Sequence, residues 1–206
     1  MPMPERRPLQ NSAWGCSIGG RVLAFFAVLL LVSGSIGCTA PPQASGNIAF
    51  MGDSITALWF LPKSNLGISG NTTTQMLGRF SPDISAHAYK AVVILGGTND
   101  VRVVGHPIQE EVNTASSNIE QMAALAEKQN LAVVLCAIPP IRGLDYRVVP
   151  LNTAIESIAQ KHQYKYVDYY TPMVGHPEYF RDGEHPNDQG YFVMQATLEK
   201  VLPLSY

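Results

Sequence analysis

Charge is scarce in this chain. Asp, Glu, Lys and Arg make up 15% of its 206 residues, and the formal net charge is -2. No block of like charges occurs. A phosphate backbone needs clustered Lys and Arg, so nucleic acid is excluded as the main partner. Cysteine is scarce too: Cys16, Cys38 and Cys136, at no spacing that suits a metal. Cys136 lies in the apolar run 131–137 and reads as a small buried core residue. Internal repeats are absent, and no second core is evident. Only one long apolar stretch occurs, at 22–32, and it is too short for a comfortable membrane span. What remains is ordinary. A hydrophobic share of 46% fills a core, and the length suits one domain plus a leader.

The stretch 22–32 follows Arg21 and, further back, Arg6 and Arg7, as the apolar region of an export signal would. It ends in Ser33-Gly34-Ser35-Ile36-Gly37 and then Cys38. Small residues just before a cysteine resemble a bacterial lipobox, in which that cysteine is lipidated and becomes the new N-terminus. Ser35 stands where that pattern prefers Leu. The expected division is a lipoprotein-type signal peptide over 1–37, a Pro/Gly/Ser tether over 38–46 and one domain over 47–206. A cleaved secretory signal with an incidental Cys38 is the alternative. Arg6-Arg7 lies too far from the apolar stretch to act as a twin-arginine signal. Gly15-Cys16-Ser17-Ile18-Gly19 matches G-x-S-x-G, but that elbow requires a strand before it and a helix after it, and here a signal stretch follows.

In the body, strands are expected at 47–51, 91–95, 131–137 and 164–167, with a short extended piece at 65–70. Helices are expected at 72–80, capped by Thr73 or Thr74, at 108–128, at 151–162 with Pro150 at its start, and at 188–201. Continuous apolar runs such as Ala91-Val92-Val93-Ile94-Leu95 belong to strands buried on both faces. Strands alternating with helices imply a parallel sheet covered on both sides, with right-handed crossovers. Strand order is not readable from the pattern.

Chemistry collects at the ends of these strands, the edge where open α/β sheets bind ligands. Gly52-Asp53-Ser54 follows the first strand and presents a hydroxyl. Asp182-Gly183-Glu184-His185-Pro186-Asn187 precedes the last helix. An Asp three residues before a His lets one tight turn carry both, so the carboxylate can fix the imidazole tautomer. His87, His106, His162 and His176 lack such a partner and read as surface or loop residues. Asn99, in Gly96-Gly97-Thr98-Asn99-Asp100, can donate an amide N–H into the same crevice. Gly70 offers a backbone N–H with no side chain in the way. Preorganised donors are what an ester carbonyl needs where its oxygen becomes negative. Asp53 is expected to hold its turn, Asp100 to be a turn acid or a support for Asn99, and Asp168 a loop or capping residue. Trp59, Phe60 and Leu61 are core or pocket wall.

Taken together, Gly52-Asp53-Ser54-Ile55-Thr56, Gly70, Gly97-Thr98-Asn99-Asp100 and Asp182 to Asn187 resemble the four blocks of the SGNH (GDSL-type) esterase/lipase family. Asn65 to Thr72 and Gly190-Tyr191 resemble its platelet-activating-factor-acetylhydrolase-like branch. The resemblance covers about residues 47–203. It implies a flavodoxin-like three-layer α/β/α sandwich with five parallel strands. It implies Ser54 as nucleophile, His185 as general base and then acid, and Asp182 as orienting carboxylate. It implies an oxyanion hole made of the Ser54 N–H, the Gly70 N–H and the Asn99 amide, with no metal or organic cofactor. Glu184 stands where the family usually has an apolar residue; it is expected to alter the local field without replacing a catalytic group.

The expected protein is an exported serine esterase of the bacterial envelope, held to the membrane through Cys38. Short loops between the blocks favour short acyl groups, such as acetyl on carbohydrate or a small alcohol. Longer acyl chains, as in a lysophospholipase or thioesterase, are the alternative within the class. A non-catalytic, surface-anchored binding lipoprotein is the alternative outside it.

Overall fold

A computed structural model describes residues 47–60, 64–103, 105 and 107–202. Five strands form one wholly parallel sheet: β1 (Ile48–Gly52), β2 (Asn65–Gly67), β3 (Ala91–Leu95), β4 (Ala132–Cys136) and β5 (Lys165–Val167), in the order β2-β1-β3-β4-β5. Helices alternate with them: α1 (Ser54–Ala57), α2 (Thr73–Ser85), α3 (Thr98–Arg102), α4 (Ile108–Lys128), α5 (Asp145–His162) and α6 (Asp188–Glu199). A 3₁₀ turn, Pro177–Tyr179, precedes α6.

The strand residues explain the sheet. Every residue of β1 and β3 is buried, as continuous apolar runs between two layers must be. Their register pairs Phe50 with Val93 and Gly52 with Leu95. A large apolar side chain such as Phe50, only 1% exposed, contributes about 2 kcal/mol when it leaves water. Right-handed crossovers then assign the helices. The steps β2→β3, β3→β4 and β4→β5 run in one direction across the sheet and β1→β2 in the other. Thus α2, α4 and α5 share one face, and α1 takes the other. The packing agrees: α4 lies between α2 and α5. Tyr191 of α6 stacks on Trp59 at 5.7 Å and donates from its hydroxyl to the Ile55 carbonyl at 2.8 Å.

The chain turns away from β1 in opposite directions to reach β2 and β3, so a crevice opens at the carboxyl ends of β1 and β3. Ser54 follows β1 and Asn99 follows β3 at that crevice.

Several expected bounds shift. The cap of α2 is Thr72, not Thr73 or Thr74. Thr72 and Gln75 form a capping box, while Thr73 gives both its N–H and its hydroxyl to Asp100. That helix continues past Phe80 and Pro82 to Ser85 because Ile84 is buried in the core. Helix α5 begins at Asp145, so Pro150 lies inside it, not at its start; burial of Arg147 and Val148 draws the earlier turn into the helix. Asp100, read as a turn acid or a support for Asn99, lies within the short helix α3. The expected signal peptide, the tether, Cys38, Leu61 and His106 lie outside the described residues.

Candidate active site

The turn after β1 is built around Gly52 and Asp53. A Cβ on Gly52 would run into the Thr56 side chain and come within 2.7 Å of the Leu95 carbonyl. Only glycine lets β1 lie this close to β3 while the chain turns into α1. Asp53 caps α1: its Oδ1 accepts from the Ile55 N–H at 2.9 Å. Ser54 is therefore the first residue of α1, with an N–H that has no partner inside the helix, and it is 7% exposed.

Asp53 is fully buried, and burial pushes its carboxyl up to about 6 even though the Ile55 N–H pulls the other way. Its Oδ2 has no hydrogen-bond partner, and neither has the nearby Thr98 hydroxyl. The Thr98 side chain is close enough to lower the carboxyl, yet it forms no hydrogen bond with it.

Across the crevice, the loop 180–187 is closed by a bridge between Phe180 and Pro186 and by the Arg181 N–H donating to the His185 carbonyl at 2.8 Å. Asn187 then caps α6 by accepting from the Gly190 N–H at 3.1 Å. Asp182 Oδ1 accepts from the backbone N–H groups of Glu184 and His185 at 3.0 and 2.9 Å. Its Oδ2 lies 2.8 Å from His185 Nδ1. The His185 backbone N–H, the imidazole and the Glu184 N–H hold the Asp182 carboxyl down at about 2. A carboxylate only accepts, so Nδ1 carries the proton and Nε2 is left to accept. Nε2 lies 3.0 Å from Ser54 Oγ. The structure thus brings Ser54, His185 and Asp182, which span 131 positions of sequence, into one hydrogen-bonded row.

Asn99 stands in the first turn of α3, and one of its amide N–H groups donates to the Asn71 carbonyl at 2.9 Å. The second remains for a ligand oxygen. Gly70 precedes Asn71, is exposed and has φ +81, a conformation that favours glycine. Its loop is fixed by groups the sequence reading missed. Arg79 donates to the Asn71 side chain at 2.8 Å and to the Gly52 carbonyl at 2.9 Å, so one guanidinium joins the Gly70 loop to the Ser54 turn. Asn65 donates to the carbonyls of Thr56 and Trp59 at 2.7 and 3.0 Å. The i,i+4 pairing of Arg79 with Asp83 was a sequence signal for an anchored side chain, though not for its target.

The remaining expectations are also placed. Asp100 accepts from Thr73 and ties α3 to α2; it does not bond Asn99. Asp168 accepts from the N–H groups of Tyr170 and Thr171, as a loop acid. Trp59 is core, whereas Phe60 is exposed. Cys136 is buried, which pushes its thiol up to about 12. His87, His162 and His176 are exposed. Glu184 is buried, with Oε1 3.1 Å from Arg102 Nη1. A cavity of about 220 Å³, lined by Ile141, Arg142, Met173, Phe180, Asp182 and Gly183 among others, reaches the acid end of the row and not Ser54. Among the described residues, no group of three or more His, Cys, Asp or Glu could hold a metal ion.

A parallel sheet with a hydroxyl, an imidazole and a carboxylate aligned at its switch point is the arrangement of an α/β serine hydrolase. Within that class, the chain belongs to the GDSL-like lipase/acylhydrolase family, which it matches over residues 50–192. It is 32% identical to a GDSL-like lipase from Bacteroides thetaiotaomicron over 78% of this chain and 90% of that one, with a TM-score of 0.65. A lipase/acylhydrolase from Enterococcus faecalis shares the fold at 24% identity, over 74% of this chain and 93% of that one, TM-score 0.63. So does an acetylxylan esterase from Geobacillus stearothermophilus at 17% identity, over 74% and 92%, TM-score 0.64. No curated protein matches the chain. The protein is a carboxylic ester hydrolase.

Proposed function

We propose that Ser54, His185 and Asp182 carry out the hydrolysis, through an acyl-enzyme, on esters of short acyl groups such as acetyl on carbohydrate or a small alcohol. The observation that carries this reading is the row itself, with contacts of 3.0 and 2.8 Å. Ser54 Oγ attacks the ester carbonyl while His185 Nε2 takes its proton. The imidazolium, steadied by Asp182, gives that proton to the departing alcohol. Water, activated by His185, then releases the acid. The N–H groups of Ser54 and Gly70 and the amide of Asn99 are the donors for the oxyanion, each worth about 3 kcal/mol to the transition state.

Short acyl groups are favoured by the short connections after β1, β2 and β3 and by a cavity that stops at Asp182 without reaching Ser54. Longer chains are favoured by one feature, the exposed pair Phe60 and Phe192, whose rings are 5.9 Å apart. Hydrolysis of p-nitrophenyl acetate, butyrate and octanoate separates the two readings. The proposal expects rates to fall with chain length, and a preference for octanoate would overturn it. Export and anchoring through Cys38 complete the proposal. They rest on the apolar stretch 22–32 and the small residues that precede Cys38.

A further inference from the structure

Glu184 is no member of the row, yet its side chain ends beside it. Oε1 lies 3.8 Å from His185 Nε2, the nitrogen that meets Ser54 Oγ at 3.0 Å. The same oxygen lies 3.1 Å from Arg102 Nη1, and the Glu184 side chain is 11% exposed against 50% for Arg102. A buried carboxylate is costly unless paired. This one has a partner half in solvent and stands close enough to buried Asp53 to repel it. A side chain needed here only for packing would be better apolar.

We propose that Glu184 is a positioning residue for ester hydrolysis, a second anion that stabilises the charged imidazole from its Nε2 side, with its strength set by Arg102. This rests on His185 acting as the general base. As the Oγ–carbonyl bond forms, the Oγ–H bond breaks and an Nε2–H bond replaces it, while the carbonyl π pair moves onto the oxyanion. The new cation then lies between two carboxylates, Asp182 at Nδ1 and Glu184 near Nε2. At 3.8 Å, Glu184 is outside hydrogen-bond range, so it acts by charge and leaves the Nε2 proton free for the departing alkoxide.

Among the described residues, Asp182 and Glu184 face this centre from its own loop, Arg102 from α3 and Asp53 from the turn before α1, and Asp100 of α3 acts on Asp53 in turn. Arg142, from the loop before α5, donates to the Asp182 carbonyl, and Arg181 pairs loosely with Asp188 at 3.8 Å. Glu184 and Arg102 oppose each other in sign, which gives the proposal a signed test.

The test is kcat/KM for p-nitrophenyl acetate against pH in the wild-type chain, Glu184→Gln, Arg102→Gln and the double variant. Glu184→Gln removes the anion and leaves Arg102 facing the ring, so the acid limb of the profile moves to lower pH, by about one pH unit. The plateau falls about three-fold, because the weaker base drives proton transfer less well. Arg102→Gln, at a half-exposed position, leaves Glu184 uncompensated and moves the limb to higher pH. The double variant returns towards the wild type. Titration of the His185 imidazole by nitrogen NMR is expected to show the same opposed movements. It decides the proposal even if the ester is not turned over, a result that would instead sink the hydrolase reading. Limbs that coincide within a few tenths of a pH unit, or that move the same way in both single variants, overturn the role of Glu184.

Discussion

At the residue scale, Asp53 and Asp182 show how position decides what a carboxyl does. Asp182 is exposed and bonded to two backbone N–H groups and an imidazole, and it stays ionised down to about pH 2. Asp53 is fully buried with a single backbone N–H bond, from Ile55, and it sits at about 6. Because the folded chain holds the Asp53 proton more tightly than the unfolded chain, stability contributed by this group is present below about pH 4. It is lost as pH rises to about 6 and does not change above that. The loss amounts to about 3 kcal/mol, from roughly two pH units at 1.4 kcal/mol each. Asp53→Asn keeps an acceptor for Ile55 and removes the titration. Urea denaturation between pH 4 and 7 is expected to show a wild-type decline that the variant lacks; equal slopes would refute it. The types and spacing of Ser54, Asp182 and His185 were legible in the sequence. The burial of Glu184 and its pairing with Arg102, 82 positions away, were not.

At the element scale, the anchoring of α2 is the feature to test. Thr72 caps the helix, and Asp100 receives the N–H and hydroxyl of Thr73, itself fully buried and also bonded by Asn118 at 3.1 Å. Thr72→Ala costs about 1 kcal/mol, the usual value of a cap. Asp100→Ala leaves buried donors unpaired and costs more, roughly 2–3 kcal/mol. Thermal unfolding is expected to rank Asp100→Ala well below Thr72→Ala in Tm, and the reverse order would contradict this account of the helix start. Strands β1, β3 and β4 were readable because burial on both faces writes itself as an apolar run. The start of α5 and the end of α2 were not. Proline marks a boundary in sequence, but Val148 and Ile84 lie beyond the two prolines and are buried in the core, so packing carries each helix through.

At the scale of the whole molecule, alternation of strands and helices gave the parallel sheet, while the order β2-β1-β3-β4-β5 emerges only from pairing. That order creates the crevice, and the crevice gathers residues from the turns after β1, β2 and β3 and from the loop before α6. No described helix is long and apolar enough to cross a membrane. The proposed attachment is through Cys38. In a bacterial host, the wild-type chain is expected in the membrane fraction with a lipid on Cys38, and Cys38→Ser in the soluble envelope fraction. Identical fractionation of the two would contradict the anchor.

The central claim is that Ser54 is the nucleophile. The most direct measurement is labelling with a fluorophosphonate, followed by mass mapping of the adduct in the wild-type chain and in Ser54→Ala. The account predicts one adduct, on Ser54, with loss of ester hydrolysis at the same rate, and neither label nor activity in the variant. An adduct on another residue, or unchanged hydrolysis by Ser54→Ala, would contradict it.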